Sequence, residues 1–150
     1  MNRRYFIQSS LVAATLSKRL VASSDKVNLA LMGVRGRGRS LAEDFAVLPD
    51  VNIPYLCDVD ANVFGPAAKI VEEKKGARPQ LIEDIRKALD DKNVDAIVIA
   101  TPDHWHAPAT ILGCQAAKDV YVEKPCSHNL REGRLMVEAA RRHQRVVQHG

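Results

Sequence analysis

From Val27 onward, short apolar runs alternate with segments whose apolar positions recur every three or four residues. The runs have strand length and β-branched content, while the spaced segments have the period of a helix packed on one face. Strands are predicted at Val27–Met32, Ile53–Cys57, weakly at Gln80–Ile82, then at Ala96–Ala100, Val120–Glu123 and Val146–Gln148. Helices are predicted at Arg39–Leu48, Ala61–Lys75, Ile85–Asp91, Ala107–Ala117 and Leu130–Gln144. Asp95-Ala-Ile-Val-Ile-Ala100 is apolar on both faces, as a central parallel strand should be. Pro54 removes a ladder donor, which places it at the first residue of its strand. The alternation implies an α/β fold, a doubly wound parallel sheet with helices on both faces.

The first strand breaks into Gly33-Val-Arg-Gly36-Arg-Gly38-Arg-Ser40, and a helical segment follows at once. Strand, glycine turn and helix in that order are the context a dinucleotide fingerprint requires. Glycines let the backbone turn tightly and approach a pyrophosphate, and the helix start aims unsatisfied N–H groups at its charge. The second strand ends in Asp58, placed to accept hydrogen bonds from a ribose 2′-hydroxyl.

Charge changes the picture once it is located. Of 22 basic and 18 acidic residues, five and one lie in the first 26 positions, leaving 17 of each in the remainder. The body of the chain is therefore neutral. With no basic face and only seven aromatics, nucleic-acid binding loses its electrostatic support. Cys57, Cys114 and Cys126 show no paired spacing and are expected to be small buried hydrophobes rather than a disulfide framework. Residues 1–26 contain Arg3-Arg-Tyr-Phe6 and an apolar stretch to Leu16 that is too short to span a bilayer. This leader resembles a twin-arginine export signal and implies periplasmic or other exported localisation. A basic leader that is never cleaved, on a cytoplasmic protein, is the alternative.

Three segments fall at predicted C-terminal strand ends, which converge on one crevice in a doubly wound sheet. They are the Gly33–Gly38 turn, Thr101-Pro-Asp-His-Trp-His106 and Glu123-Lys-Pro125. Together with Asp58, in this order and spacing, they resemble the Gfo/Idh/MocA family, named for glucose–fructose oxidoreductase and inositol dehydrogenase. The resemblance covers about residues 27–150 and implies the Rossmann-type domain of a two-domain, nicotinamide-dependent oxidoreductase acting on a sugar, inositol or related polyol. It implies that Gly33, Gly36, Arg37 and Gly38 hold the pyrophosphate and Asp58 the adenosine ribose. Thr101, Pro102, Asp103, His104, Trp105 and His106 would border the nicotinamide half, next to Glu123, Lys124 and Pro125. Lys124 would be the catalytic residue, polarising the substrate oxygen or relaying a proton, as a partly desolvated lysine can. The partner acid–base group would come from a second domain, and the full-length protein would form a homo-oligomer. Because the chain stops just beyond its sixth strand, it is expected to be part of a longer protein.

One position departs from the family pattern, with Arg35 standing where the second glycine is usual. Either Gly36 takes over in a shifted turn, or Arg35 points away and its guanidinium contacts phosphate, or the turn no longer binds nucleotide. Asp58 favours NAD by repelling the 2′-phosphate of NADP, a preference that Arg35, Arg37 and Arg39 could soften. His104 and His106 lack a third metal ligand, and alternate residues on an extended loop point apart, so no metal is expected. Trp105 either stacks on the nicotinamide or caps the core. His128 and His143 are expected to be surface or capping residues, and His149 could face the crevice. A branch of the family resembles NAD-dependent glycosidases, which share exported leaders and a Trp-His pair after the central strand, and this is the alternative activity. A nucleotide-binding fragment without catalysis is the third.

Overall fold

The computed structural model describes residues 26–150, so the leader lies outside the described residues. Strands β1 (Val27–Met32), β2 (Val51–Cys57), β3 (Gln80–Ile82), β4 (Ala96–Ile99), β5 (Asp119–Val122) and β6 (Val147–His149) form one sheet. Between them lie helices α1 (Gly36–Ala46), α2 (Phe64–Lys75), α3 (Arg86–Leu89), α4 (His106–Gln115) and α5 (Leu130–His143). Every strand pair is parallel, and the order is β3-β2-β1-β4-β5-β6. The order reverses between β1 and β4, which is where such sheets open a crevice at their carboxyl ends.

Alternating residues divide the core in two. Leu29, Leu31, Leu56 and Val98 face α1 and α2, where they meet Leu41, Ala42, Phe64 and Val71. Ala30, Ile97, Ile99 and Val122 face the opposite way, against Cys114, Met136 and Ala139 of α4 and α5. Each fully buried aliphatic side chain stabilises the fold by about 1.5–3 kcal/mol. The stability therefore sits in the sheet, and the loops at the strand ends can be shaped by the side chains they carry. Among the described residues no helix is long and apolar enough to cross a membrane.

Three sequence expectations are corrected. Pro54 lies in the middle of β2, not at its start. The register of β2 on β1 shifts between Asn28 and Ala30, and β3 begins pairing only at Tyr55. The irregularity and the short neighbour spare the chain the amide that proline lacks. Helix α1 begins at Gly36 rather than Arg39. Finally, Cys126 is exposed while Cys57 and Cys114 are buried, because β5 ends at Val122 and the chain has left the sheet by residue 126.

Candidate functional site

The strand ends carry a cavity of about 890 Å³, walled by Gly33, Asp58, Asp60, Ile85, Thr101 and Trp105 among others. Its floor is the glycine turn. The amide of Gly33 donates to the Cys57 carbonyl at 2.8 Å, and that of Ala100 to Met32 at 2.8 Å, so both ladders continue into the loops. Gly33 has φ +86°, and a Cβ there would stand 2.7 Å from the Ala100 oxygen. A Cβ on Gly38 would fall 1.8 Å from the Gly33 carbonyl oxygen. Only glycine lets α1 begin against the strand end, which explains its early start and leaves its leading N–H groups unsatisfied beside the turn.

Arg35 caps α1 with an extended backbone (φ −88°), so a side chain is accommodated at the departing position without strain. Its guanidinium turns to an ion pair with Asp60. Gly36 opens the helix at φ +37°. Asp58 follows β2 as expected, and both its oxygens are engaged: Oδ2 accepts from the Val34 amide and Oδ1 from the Asp60 amide, each at 3.1 Å. Asp60 is a residue that sequence reasoning missed. The backbone and side-chain amides of Asn62, with Arg35, hold its carboxyl below the usual range. Ile85 and Arg86 on the far wall were also missed, although their place after β3 was a usable signal.

On the other side, the loop after β4 folds into a short turn at Asp103–Trp105. His104 is exposed on the rim, and Trp105, 46% exposed, lines the cavity instead of capping the core. His106 points inward and is 1% exposed. Its Nδ1 lies 2.6 Å from the Pro125 carbonyl oxygen and its Nε2 2.9 Å from that of Thr101. The ring ties the loop after β4 to the loop after β5, with both nitrogens turned to carbonyls.

Glu123 is buried at the end of β5. Arg37 Nε donates to it at 2.7 Å, the Tyr121 hydroxyl at 3.4 Å and the Lys124 amide at 3.3 Å. Burial alone would raise this carboxyl, but Arg37 and the Lys124 amide outweigh it and hold it below the ordinary range. Arg37, expected to hold the pyrophosphate, is instead half of an ion pair and is not in the crevice wall; it also touches Ser40 and Asp44. Lys124 is exposed, follows Glu123 directly and precedes the cis bond to Pro125. It stands beside the cavity rather than in its wall. His128, exposed, pairs through Nδ1 with Asp103 at 3.1 Å, which raises its pKa, while its backbone amide joins Asn129 and Glu132 in the cap of α5. His149 is exposed at the end of β6.

These residues fit a dinucleotide. The turn leaves no Cβ over the start of α1, and Thr101 Oγ1 on the cavity wall is buried with no hydrogen-bond partner among the described residues. The comparisons agree. An alpha-N-acetylgalactosaminidase of Shewanella oneidensis is 28% identical over 123 residues, covering 79% of this chain and 27% of its own. A glycosyl hydrolase family 109 protein of Stenotrophomonas maltophilia is 32% identical over 133 residues, 82% of this chain and 29% of its own. The chain thus spans little more than a quarter of the length of these curated relatives. Among solved structures, GenD2 from gentamicin A biosynthesis, in complex with NAD, superposes with a TM-score of 0.73 at 25% identity over 84% of this chain and 34% of its own. The Gfo/Idh/MocA model, described as an oxidoreductase family with an NAD-binding Rossmann fold, matches residues 27–150, and the chain belongs to that family.

Proposed function

We propose that this chain is the nucleotide-binding part of a nicotinamide-dependent oxidoreductase whose substrate is a sugar, inositol or related polyol. The observation that carries the reading is the crevice at the point where the strand order reverses, with Gly33 and Asp58 on one wall and Thr101 on the other, and with the Glu123–Lys124–Pro125 loop tied to Thr101 through His106. The leading amides of α1 would hold the diphosphate, and Asp58 the adenosine ribose. Bound there, a nicotinamide supplies a hydride acceptor. Lys124 would hold or relay the proton of the substrate hydroxyl at its Nζ, with Glu123 anchored to Arg37 and His106 on the Pro125 carbonyl setting where that amine stands. Substrate contacts and the partner acid–base group would come from a second domain. The assembled enzyme would be a homo-oligomer exported by the twin-arginine route, as Arg3 and Arg4 suggest.

A second reading is supported by the names of the relatives: hydride chemistry serving glycoside cleavage, with the cofactor regenerated in each cycle. A panel of sugars, polyols and aryl glycosides, assayed with the full-length protein and NAD, separates the two. Sugar- or polyol-dependent NADH accumulation supports the oxidoreductase. Release of the aryl group without net NADH supports the glycosidase. Under either, Lys124→Ala should lower turnover by about 10²–10⁴-fold, the scale of a positioned acid–base group. Unchanged turnover in that variant would remove Lys124 from the chemistry.

A further inference from the structure

Arg35 has a place in the site that the glycine fingerprint does not explain. Besides lining the 890 Å³ crevice it lines a second cavity, of about 380 Å³, on the outer flank of the glycine turn, and it is the residue the two walls share. The flank cavity lies between the start of α1 and the turn leading into α2, with Arg39 and Asn62 on its wall. Arg39 makes no ion pair among the described residues. Arg35, by contrast, is paired with Asp60, whose Oδ1 accepts from the backbone and side-chain amides of Asn62 at 3.0 and 2.9 Å. The pair runs from the glycine turn to the loop after β2 and stands between the two cavities.

Asp58 does not decide the electrostatics of this corner alone. Its two oxygens are fastened to the Val34 and Asp60 amides, so its carboxylate shapes the loop that presents Asp60. We propose that the Arg35–Asp60 pair is the element of this chain that selects NAD over a dinucleotide bearing a 2′-phosphate. With the pair closed, a phosphate at the ribose edge meets two carboxylates, and the nearest guanidinium is already neutralised. Without the charge of Asp60, Arg35 is released beside Arg39, and the flank cavity becomes a site for the phosphate dianion. Planar guanidinium groups take phosphate with paired hydrogen bonds, so two of them at one cavity suit that ligand. The inference rests on the nucleotide reading of the crevice.

The test is titration of the 150-residue chain with NADH and NADPH, followed by the fluorescence of the reduced nicotinamide. The chains compared are the wild type, Asp60→Asn, Asp60→Ser, and Asp60→Asn combined with Arg35→Gln. Serine retains an oxygen able to accept from the Asn62 amide, so it guards against a folding defect in the asparagine variant. The wild type should prefer NADH by about tenfold or more. Either Asp60 variant should shift the ratio of affinities towards NADPH by about tenfold, the scale of one charge-assisted contact, and removing Arg35 should cancel the shift. An unchanged ratio in both Asp60 variants, a shift that survives the loss of Arg35, or a wild type that prefers NADPH overturns the selectivity role alone. Failure of every chain to bind either nucleotide overturns the cofactor assignment itself.

Discussion

The two halves of the crevice are built by different means. Around β1 and β2 the framework is set by backbone: a left-handed Gly33, a Gly38 with no room for a Cβ, and amides that fasten Asp58, with the Arg35–Asp60 pair mounted on it. Around β4 and β5 it is made of side chains tied to one another: His106 between two carbonyls, Glu123 under Arg37, and Asp103 against His128. A backbone-built half tolerates almost no change at its glycines. A side-chain-built half degrades in steps as individual ties are cut. The difference suits the proposed function, in which a diphosphate would need close backbone approach and a reacting carbon one amine held in place.

Gly38→Ala should be the most damaging single change. A Cβ 1.8 Å from a backbone oxygen cannot be relieved by a rotamer change, so α1 must move off the strand end. Overpacking of this kind costs about 3 kcal/mol or more, and nucleotide binding should be lost with it. Urea unfolding of wild type and variant checks the first part. An alanine variant of native midpoint and native binding would show that this half is more pliable than its geometry implies.

His106→Leu should cost less, about 2 kcal/mol, from a buried hydrogen bond lost and a carbonyl left without its donor. In contrast to Gly38→Ala, the damage should stay in the β4–β5 half. Hydrogen exchange would then show faster amides in residues 101–106 and 123–129 while those of the glycine turn keep their protection. Equal loosening of both halves would erase the distinction between them.

The smallest effect is expected from Glu123→Gln, and it should be visible mainly in acid. Arg37 and the Lys124 amide hold the folded carboxyl below its ordinary value of 4.5. Such a group contributes stability that is present above the unfolded value and lost as the pH falls through the folded one. The wild type should therefore lose stability more steeply than the glutamine variant below about pH 4.5. Melting temperatures from pH 7 down to pH 3 would show this, and parallel curves would mean that the Arg37 contact contributes nothing to folding.

The same contrast decides how much was legible in the sequence. Short apolar, β-branched runs and glycines at fixed offsets are local signals, so the six strands, the turn and Asp58 could all be read directly from the chain. The start of α1 is not legible because the glycines of Gly36-Arg-Gly-Arg lower its intrinsic helix propensity, and only the packing of Gly38 on Gly33 makes a helix of it. The mid-strand place of Pro54 is not legible because the irregular register that accommodates it belongs to the pairing with β1, not to β2 itself. Arg37 and Glu123 stand 86 positions apart, and nothing local marks them as partners. The burial of His106 was equally hidden, since in sequence it is one of two imidazoles flanking Trp105 in the loop after β4.

The central claim is that the strand-end crevice of this chain binds a nicotinamide dinucleotide, and calorimetric titration with NADH tests it most directly. Saturable binding by the 150-residue chain that disappears in Gly38→Ala is the expected result. No heat and no thermal shift with NAD, NADH or NADPH at roughly millimolar concentration, the weak limit of a specific site, from a chain that melts cooperatively, would contradict it.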